Sequence, residues 1–199
     1  MKTAISDVFT LIRPSEDEIR RFISKQKDSA FSYPEVGASA TNVPAGYNVD
    51  HNRIQLGKGE DTWRRATEAI RAWRMFSLPW VSLHSPNAPI QVGTVVAVSV
   101  WHFGFYSLNA CRIVYVVDEE DSVKQFGFAY GTLAEHAESG EERFAVEWNR
   151  DEDTVWYDIL AFSRPRKMLA RLGYRLSRLL QKRFAEGSKA AMLEAVGRT

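Results

Sequence analysis

Residues 125–133 read Gln125-Phe126-Gly127-Phe128-Ala129-Tyr130-Gly131-Thr132-Leu133. Alternate side chains of an extended chain point to opposite faces, so Phe126, Phe128, Tyr130 and Thr132 share one face and Gly127, Ala129 and Gly131 the other. One side is bulky and the other nearly bare. Small residues on a sheet face let another element come close, usually a packed helix and sometimes a ligand. Outward from this strand, β signals recur at residues 90–101, 110–117, 143–148 and 154–162, with a shorter one at 78–83. Phe144, Val146 and Trp148 alternate with Arg143, Ala145 and Glu147, the pattern of one face in the core and one in water. Polar connections at 118–122, 134–140 and 149–153 have hairpin length, so neighbouring strands are expected to run antiparallel as a meander.

Ahead of the meander, Ser15-Glu16-Asp17-Glu18 is a capping box that starts a helix running to about Gln26. Pro34, Gly37, Pro44 and Gly46 mark residues 31–46 as a connecting segment, and a strand follows at about 49–56. Trp63, Ala66, Ile70 and Trp73 are then spaced as one helical face, ending before Pro79. After the last strand, Ser163 is placed to cap a helix with Pro165 in its first turn. Met168, Leu169, Leu172, Leu176, Leu179, Leu180 and Phe184 repeat at near-helical spacing, so a C-terminal helix over 165–196 is expected, bent near Gly173. The fold class is α+β, with six to seven strands, the long C-terminal helix and an extra N-terminal helix. The bare face of Gly127, Ala129 and Gly131 and the apolar stripe from Met168 to Phe184 are expected to wall one interior.

The 199 residues are expected to form a single domain, with 1–45 as the N-terminal helix and connecting segment and 46–196 as the core. With 26 Lys plus Arg against 25 Asp plus Glu, the net charge of +1 gives no global attraction to nucleic acid or anionic membranes. Cys111 is the one cysteine, which excludes an intramolecular disulfide and a multi-cysteine zinc site and suits a reducing compartment. No signal-peptide pattern opens the chain, and the apolar stretch 92–100 is about half the length of a spanning helix. A cytoplasmic protein is expected.

Several stretches resemble a known family: Gly46-Tyr47-Asn48, Leu56-Gly57-Lys58-Gly59, Ala72-Trp73-Arg74-Met75-Phe76, Cys111-Arg112-Ile113-Val114-Tyr115, Phe126 to Leu133, Gly140-Glu141-Glu142-Arg143-Phe144 and Ala161-Phe162-Ser163-Arg164-Pro165. On these the chain is similar to the family called domain of unknown function nineteen-ninety. Its element order also resembles the helix-grip superfamily of the birch-pollen allergen, the START lipid-transfer domains and the polyketide cyclases. The resemblance implies a curved antiparallel sheet wrapped on the last helix, and a cavity between them for an apolar ligand. It transfers no catalytic residue, because fold alone does not carry function.

The candidate ligand-binding residues are Trp73, Tyr115, Phe128, Tyr130 and Trp156 with Leu172 and Leu176 of the helix; aromatic side chains equally serve as plain core. The candidate catalytic residues are His136, whose proton affinity nearby carboxylates would raise, with Glu141 and Arg143; a solvated acidic turn is the simpler reading of that segment. No pair of histidines has metal-ligand spacing, so neither a metal nor another cofactor is expected. Asn48, Asp50 and His51 suit local turns. Cys111 is expected to be an inert core residue, and Gly57-Lys58-Gly59 lacks the spacing of a phosphate loop. Basic residues crowd the last helix, Arg164 to Lys189, a face for solvent or for an acidic surface. Three functions follow: binding of a small apolar or amphipathic molecule between sheet and helix, a hydrolase or cyclase using His136, Glu141 or Arg143 near a pocket mouth, and an adaptor docking on an acidic surface through the basic helix.

Overall fold

The structure, a computed structural model, describes residues 9–85, 87–136, 138–165 and 174–197. Its strands are β1 (Phe9–Thr10), β2 (Asn48–Lys58), β3 (Val81–His84), β4 (Val95–His102), β5 (Phe105–Glu120), β6 (Val123–Thr132), β7 (Glu138–Asn149) and β8 (Thr154–Pro165). The helices are α1 (Glu16–Gln26), α2 (Gly59–Arg71) and α3 (Tyr174–Gly197), with 3-10 turns at Ala38–Ala40 and Arg74–Phe76. All pairings are antiparallel in the order β2-β8-β7-β6-β5-β4-β3, so β3 to β8 form the meander and β2 covers the edge of β8. β1 pairs with Tyr106 and Ser107 of β5, beyond the point where β6 has ended. Among the described residues no helix is long and apolar enough to cross a membrane.

Local chemistry explains the elements. Ser15 and Glu18 close the capping box reciprocally at the start of α1. At its other end the Arg112 guanidinium donates to the carbonyls of Lys27 and Ser29 at 2.6 and 2.9 Å. β5 begins five residues earlier than its apolar run suggests. Phe103 and Gly104 have φ of 51° and 84°, the left-handed pair of a two-residue hairpin that joins His102 directly to Phe105. β7 likewise reaches back to Glu138, so residues 138–140 of the expected acidic turn at 134–140 are strand.

One expectation fails at the C-terminal helix. Ser163 and Pro165 do not start it; they extend β8, paired with Gly140 and Glu138. A longer β7 supplies hydrogen-bonding partners for this segment, and such pairing overrides a local cap signal. α3 is described from Tyr174, and Leu172 and the side chain of Leu176 lie outside the described residues.

The sheet is covered on both faces. Against the inner face pack Trp63, Ala66 and Ile70 of α2 and Met192 and Val196 of α3, over Val96, Ile113, Phe126, Phe128, Phe144, Val146, Tyr157 and Ile159. On the outer face Ile19 and Phe22 of α1 lie on Ala97, Leu108, Ala110 and Leu133. The bare face of β6 belongs to this outer side, not to the helix. A Cβ on Gly131 would sit 2.1 Å from the Tyr33 hydroxyl and one on Gly127 2.2 Å from the Phe144 carbonyl oxygen, so Tyr33 after α1 and the backbone of β7, rather than α3, close on these glycines. The Gly127, Ala129 and Gly131 face is therefore not a wall of the expected interior, and Met168, Leu169 and Leu172 of the stripe lie outside the described residues.

Candidate functional site

Aromatic packing fills one end of the space between sheet and helices and leaves the other open. Trp73 meets Phe128 at 4.7 Å between ring centres, and Phe76 meets Phe144 and Phe184 at 5.5 and 5.4 Å. Beyond Phe76 and Phe184 lies a cavity of about 610 Å³ between the inner face and α3. Its walls include Trp80, Val81, Val98, Val100, Ile159 and Leu180. Polar groups enter at two places. His102, Ser107 and Asn109 form one patch, in which the Asn109 amide donates to the Ser107 hydroxyl at 3.2 Å. His102 Nε2 lies 3.3 Å from that hydroxyl, while Nδ1 is buried with no hydrogen-bond partner among the described residues, and burial lowers the proton affinity of the ring.

The second polar place is acidic. Asp50, Glu138 and Glu142 come from β2 and β7, with Ser177 and Gln181 from α3. Arg178 holds Asp50 with both guanidinium nitrogens, one contact at 2.6 Å. Gln181 donates to Glu138 at 2.5 Å and to Ser163 at 2.9 Å, and the Ser177 hydroxyl also donates to Glu138. The Tyr130 hydroxyl donates to Glu142 Oε2 at 2.9 Å. Burial pushes the Glu142 carboxyl up to about 7; the Tyr130 bond opposes this, and the like charges of Glu138 and Asp50 add to it.

Of the sequence candidates, Tyr130, His136 and Glu141 line this cavity. His136 Nδ1 accepts from the Glu138 amide at 3.0 Å, a local turn contact. Glu141 points its carboxylate to the outer face. There it accepts from Tyr33 at 2.6 Å, from the amides of Gly37 and Ser39 at 2.8 and 3.0 Å, and from the Ser39 hydroxyl. At 2 % exposure it fastens the connecting segment, so it is no part of a solvated turn. Arg143 also faces outward and donates to Asp158 at 2.9 Å, beside His51 at 2.6 Å from the same carboxylate. The proposed catalytic trio is therefore not brought together.

Four candidate ligand residues lie elsewhere. Phe128 is fully buried, and Trp73 is 2 % exposed with its indole donating to the Ala88 carbonyl at 3.0 Å. Trp156 is on the outer face under the Arg53 guanidinium, 4.8 Å from its ring centre. Tyr115 is also outside, 2.7 Å from the Ser39 hydroxyl. Its displacement has a clear cause. A β-bulge between Ile113 and Tyr115 breaks the alternation that would have kept Cys111, Ile113 and Tyr115 on one face. Asp50 and His51 lie in β2 with ion-pair partners, not in local turns. Cys111 is buried as expected, with burial raising its thiol well above the usual range, and it borders the cavity. Among the described residues no group of three His, Cys, Asp or Glu side chains could hold a metal ion.

Glu142 escaped notice, although its signal was present. Extending the alternation of Phe144, Val146 and Trp148 back by two residues puts Glu142 on the core face and Glu141 and Arg143 on the other. Ser107 and Asn109 carried no such signal, because the turn that starts β5 at Phe105 has no customary turn residue before its glycine.

An antiparallel sheet with its C-terminal helix laid along one face defines the helix-grip class. Residues 32–191 match the family described as domain of unknown function (DUF1990), and the chain belongs to that family. It is 36% identical over 208 residues to a UPF0548 protein of Dictyostelium discoideum, covering 96% of each chain. To a UPF0548 protein of Deinococcus radiodurans it is 34% identical over 203 residues, covering 96% of this chain and 100% of that one. Among solved structures, a norcoclaurine synthase point mutant of Thalictrum flavum in complex with a transition state analogue gives a TM-score of 0.48 at 14% identity, covering 78% of this chain and 97% of that one. The structure of Ara h 8.0201 gives a TM-score of 0.45 at 11% identity, covering 76% of this chain and 98% of that one.

Proposed function

We propose that the protein binds a small amphipathic molecule in the cavity between the sheet and α3. The observation that carries this is the cavity itself: about 610 Å³, with an apolar wall of Trp80, Val81, Val98, Val100, Leu180 and Phe184 and polar groups gathered at two places. Ligand sites commonly have volumes of about 300–1,000 Å³ and this division between apolar lining and sparse polar anchors. The apolar body of the ligand lies against the aliphatic and aromatic wall, and its head group lies toward Glu142. An adaptor role for the basic helix has less behind it: Arg178 is held by Asp50, Lys189 by Glu186, and Arg183 lies over the Trp80 ring at 4.8 Å.

Two measurements test the proposal. Native mass spectrometry of freshly purified protein looks for a co-purified molecule, and tryptophan fluorescence, to which Trp80 contributes from the wall, follows titration with long-chain alcohols and amines. Val100→Trp places an indole in the cavity and is expected to abolish saturable binding while the protein stays folded by circular dichroism. Absence of both a co-purified molecule and saturable binding, or unchanged binding in Val100→Trp, refutes it.

A further inference from the structure

We propose that the head group received by the cavity is cationic, a protonated amine on an apolar body, and that Glu142 is the residue that takes it. The inference rests on the cavity being a ligand site and adds the class of ligand. Its ground is how the carboxyls of the wall are partnered. An ionised carboxylate offers about four acceptor positions. Asp50 is met by two nitrogens of Arg178, Glu138 by Ser177 and Gln181, and Glu141 by four donors. Glu142 has the Tyr130 hydroxyl on Oε2, and among the described residues no other donor reaches it. Its remaining acceptor positions are left to the contents of the cavity.

Charge then selects the head group. The titratable groups that face Glu142 are Asp50 from β2, Cys111 from β5, Tyr130 from β6, Glu138 from β7 and Tyr157 from β8, with Arg178 beside Asp50 on α3. Arg178 neutralises Asp50, and among the described residues Glu138 meets uncharged donors, Ser177 and Gln181. An anionic head would bring a further negative charge to this end. A neutral hydroxyl would fill an acceptor position on Glu142 and leave the charge as it is. An ammonium fills that position and supplies the missing cation, in surroundings where apolar walls strengthen the attraction.

Decylamine and decanol share one chain and differ in the head, so calorimetric titration of both at pH 6 and pH 8 separates the two claims. The ionised fraction of an acid titrating at about 7 rises from roughly a tenth to nine-tenths over that range, so decylamine is expected to bind about tenfold more tightly at pH 8. Decanol should show no such gain. Glu142→Gln should remove the gain while leaving decanol affinity intact, which also reports that the variant is folded; His102 and His136, also on the wall, are unaltered in it. Tyr130→Phe strips the phenol donor and should move the rise to higher pH. Equal, pH-independent binding of the two probes, or an undiminished gain in Glu142→Gln, overturns the amine inference and leaves the cavity as a ligand site. Failure of both probes to bind overturns the cavity reading itself.

Discussion

Replacing Glu141 with alanine removes one carboxylate and strands the donors that converge on it. The Gly37 and Ser39 amides and the Tyr33 hydroxyl lose their acceptor, whereas the Ser39 hydroxyl keeps Tyr115 as a neighbour at 2.7 Å. A buried donor left unpaired costs about 1–3 kcal/mol, and three of them, partly relieved by movement of the segment, come to about 4 kcal/mol. For a chain of this size each kcal/mol lowers the melting temperature by about 2–4 °C, so a drop of about 8–16 °C is expected by calorimetry at neutral pH. Location matters as much as magnitude. Amide hydrogen exchange should accelerate across residues 33–39 before it does in the meander, because those residues are what the carboxylate holds. Glu141→Gln keeps one acceptor oxygen and should fall between alanine and wild type. A melting shift below about 3 °C, or a full shift without faster exchange at 33–39, would refute the role of Glu141 as the fastening of the connecting segment.

Glu142 should behave in the opposite way. Its carboxyl rises from 4.5 to about 7 on folding, so between those values the native protein keeps a proton that the unfolded chain has lost, and stability falls as pH rises through that window. Glutamine does not ionise. Glu142→Gln is therefore expected to match wild type near pH 4 and to exceed it at pH 8 by about 3 kcal/mol, measured by denaturant titration at both values; a variant no more stable than wild type at pH 8 rejects the desolvation account. Phe128→Ala should cost about 3–5 kcal/mol as a core cavity, because the ring is fully buried against Trp73 and Phe144. A loss below about 1 kcal/mol in the same titration would show that this end of the interior is not close-packed.

The meander was legible because each strand carries its own alternation and each connection its own polar break, signals that need no tertiary context. α1 and α2 were legible from the capping box and from the spacing of Trp63, Ala66, Ile70 and Trp73. What failed was the assignment of faces to partners. Gly127, Ala129 and Gly131 announce a close approach without naming what approaches: at Gly131 it is Tyr33 and at Gly127 the backbone of Phe144 and Ala145, in place of α3. Tyr115 was misplaced by one extra residue in β5, since a bulge leaves no mark in composition yet turns the following side chain over. Ser163 and Pro165 read as a helix start because a cap is a local signal, whereas the β7 partner that keeps them extended lies some 25 residues upstream in the chain.

Glu141 and Glu142 are adjacent, alike in chemistry and opposite in circumstance, because the pleat sends one to each face of β7. The outer carboxylate is satisfied by four donors, and its burial is thereby accounted for as structure. The inner one, among the described residues, accepts from a single phenol, lies near two other carboxylates and opens on the cavity. Burying a carboxyl with so few partners is unfavourable to folding, and a methyl-bearing side chain at position 142 would remove that cost and extend the apolar wall. Phe144, Val146 and Trp148 take that solution on the same face. On the proposed reading the cost is offset when an ammonium head group in the cavity gives the Glu142 carboxylate a further partner, so the same side chain that weakens the empty fold strengthens the filled one.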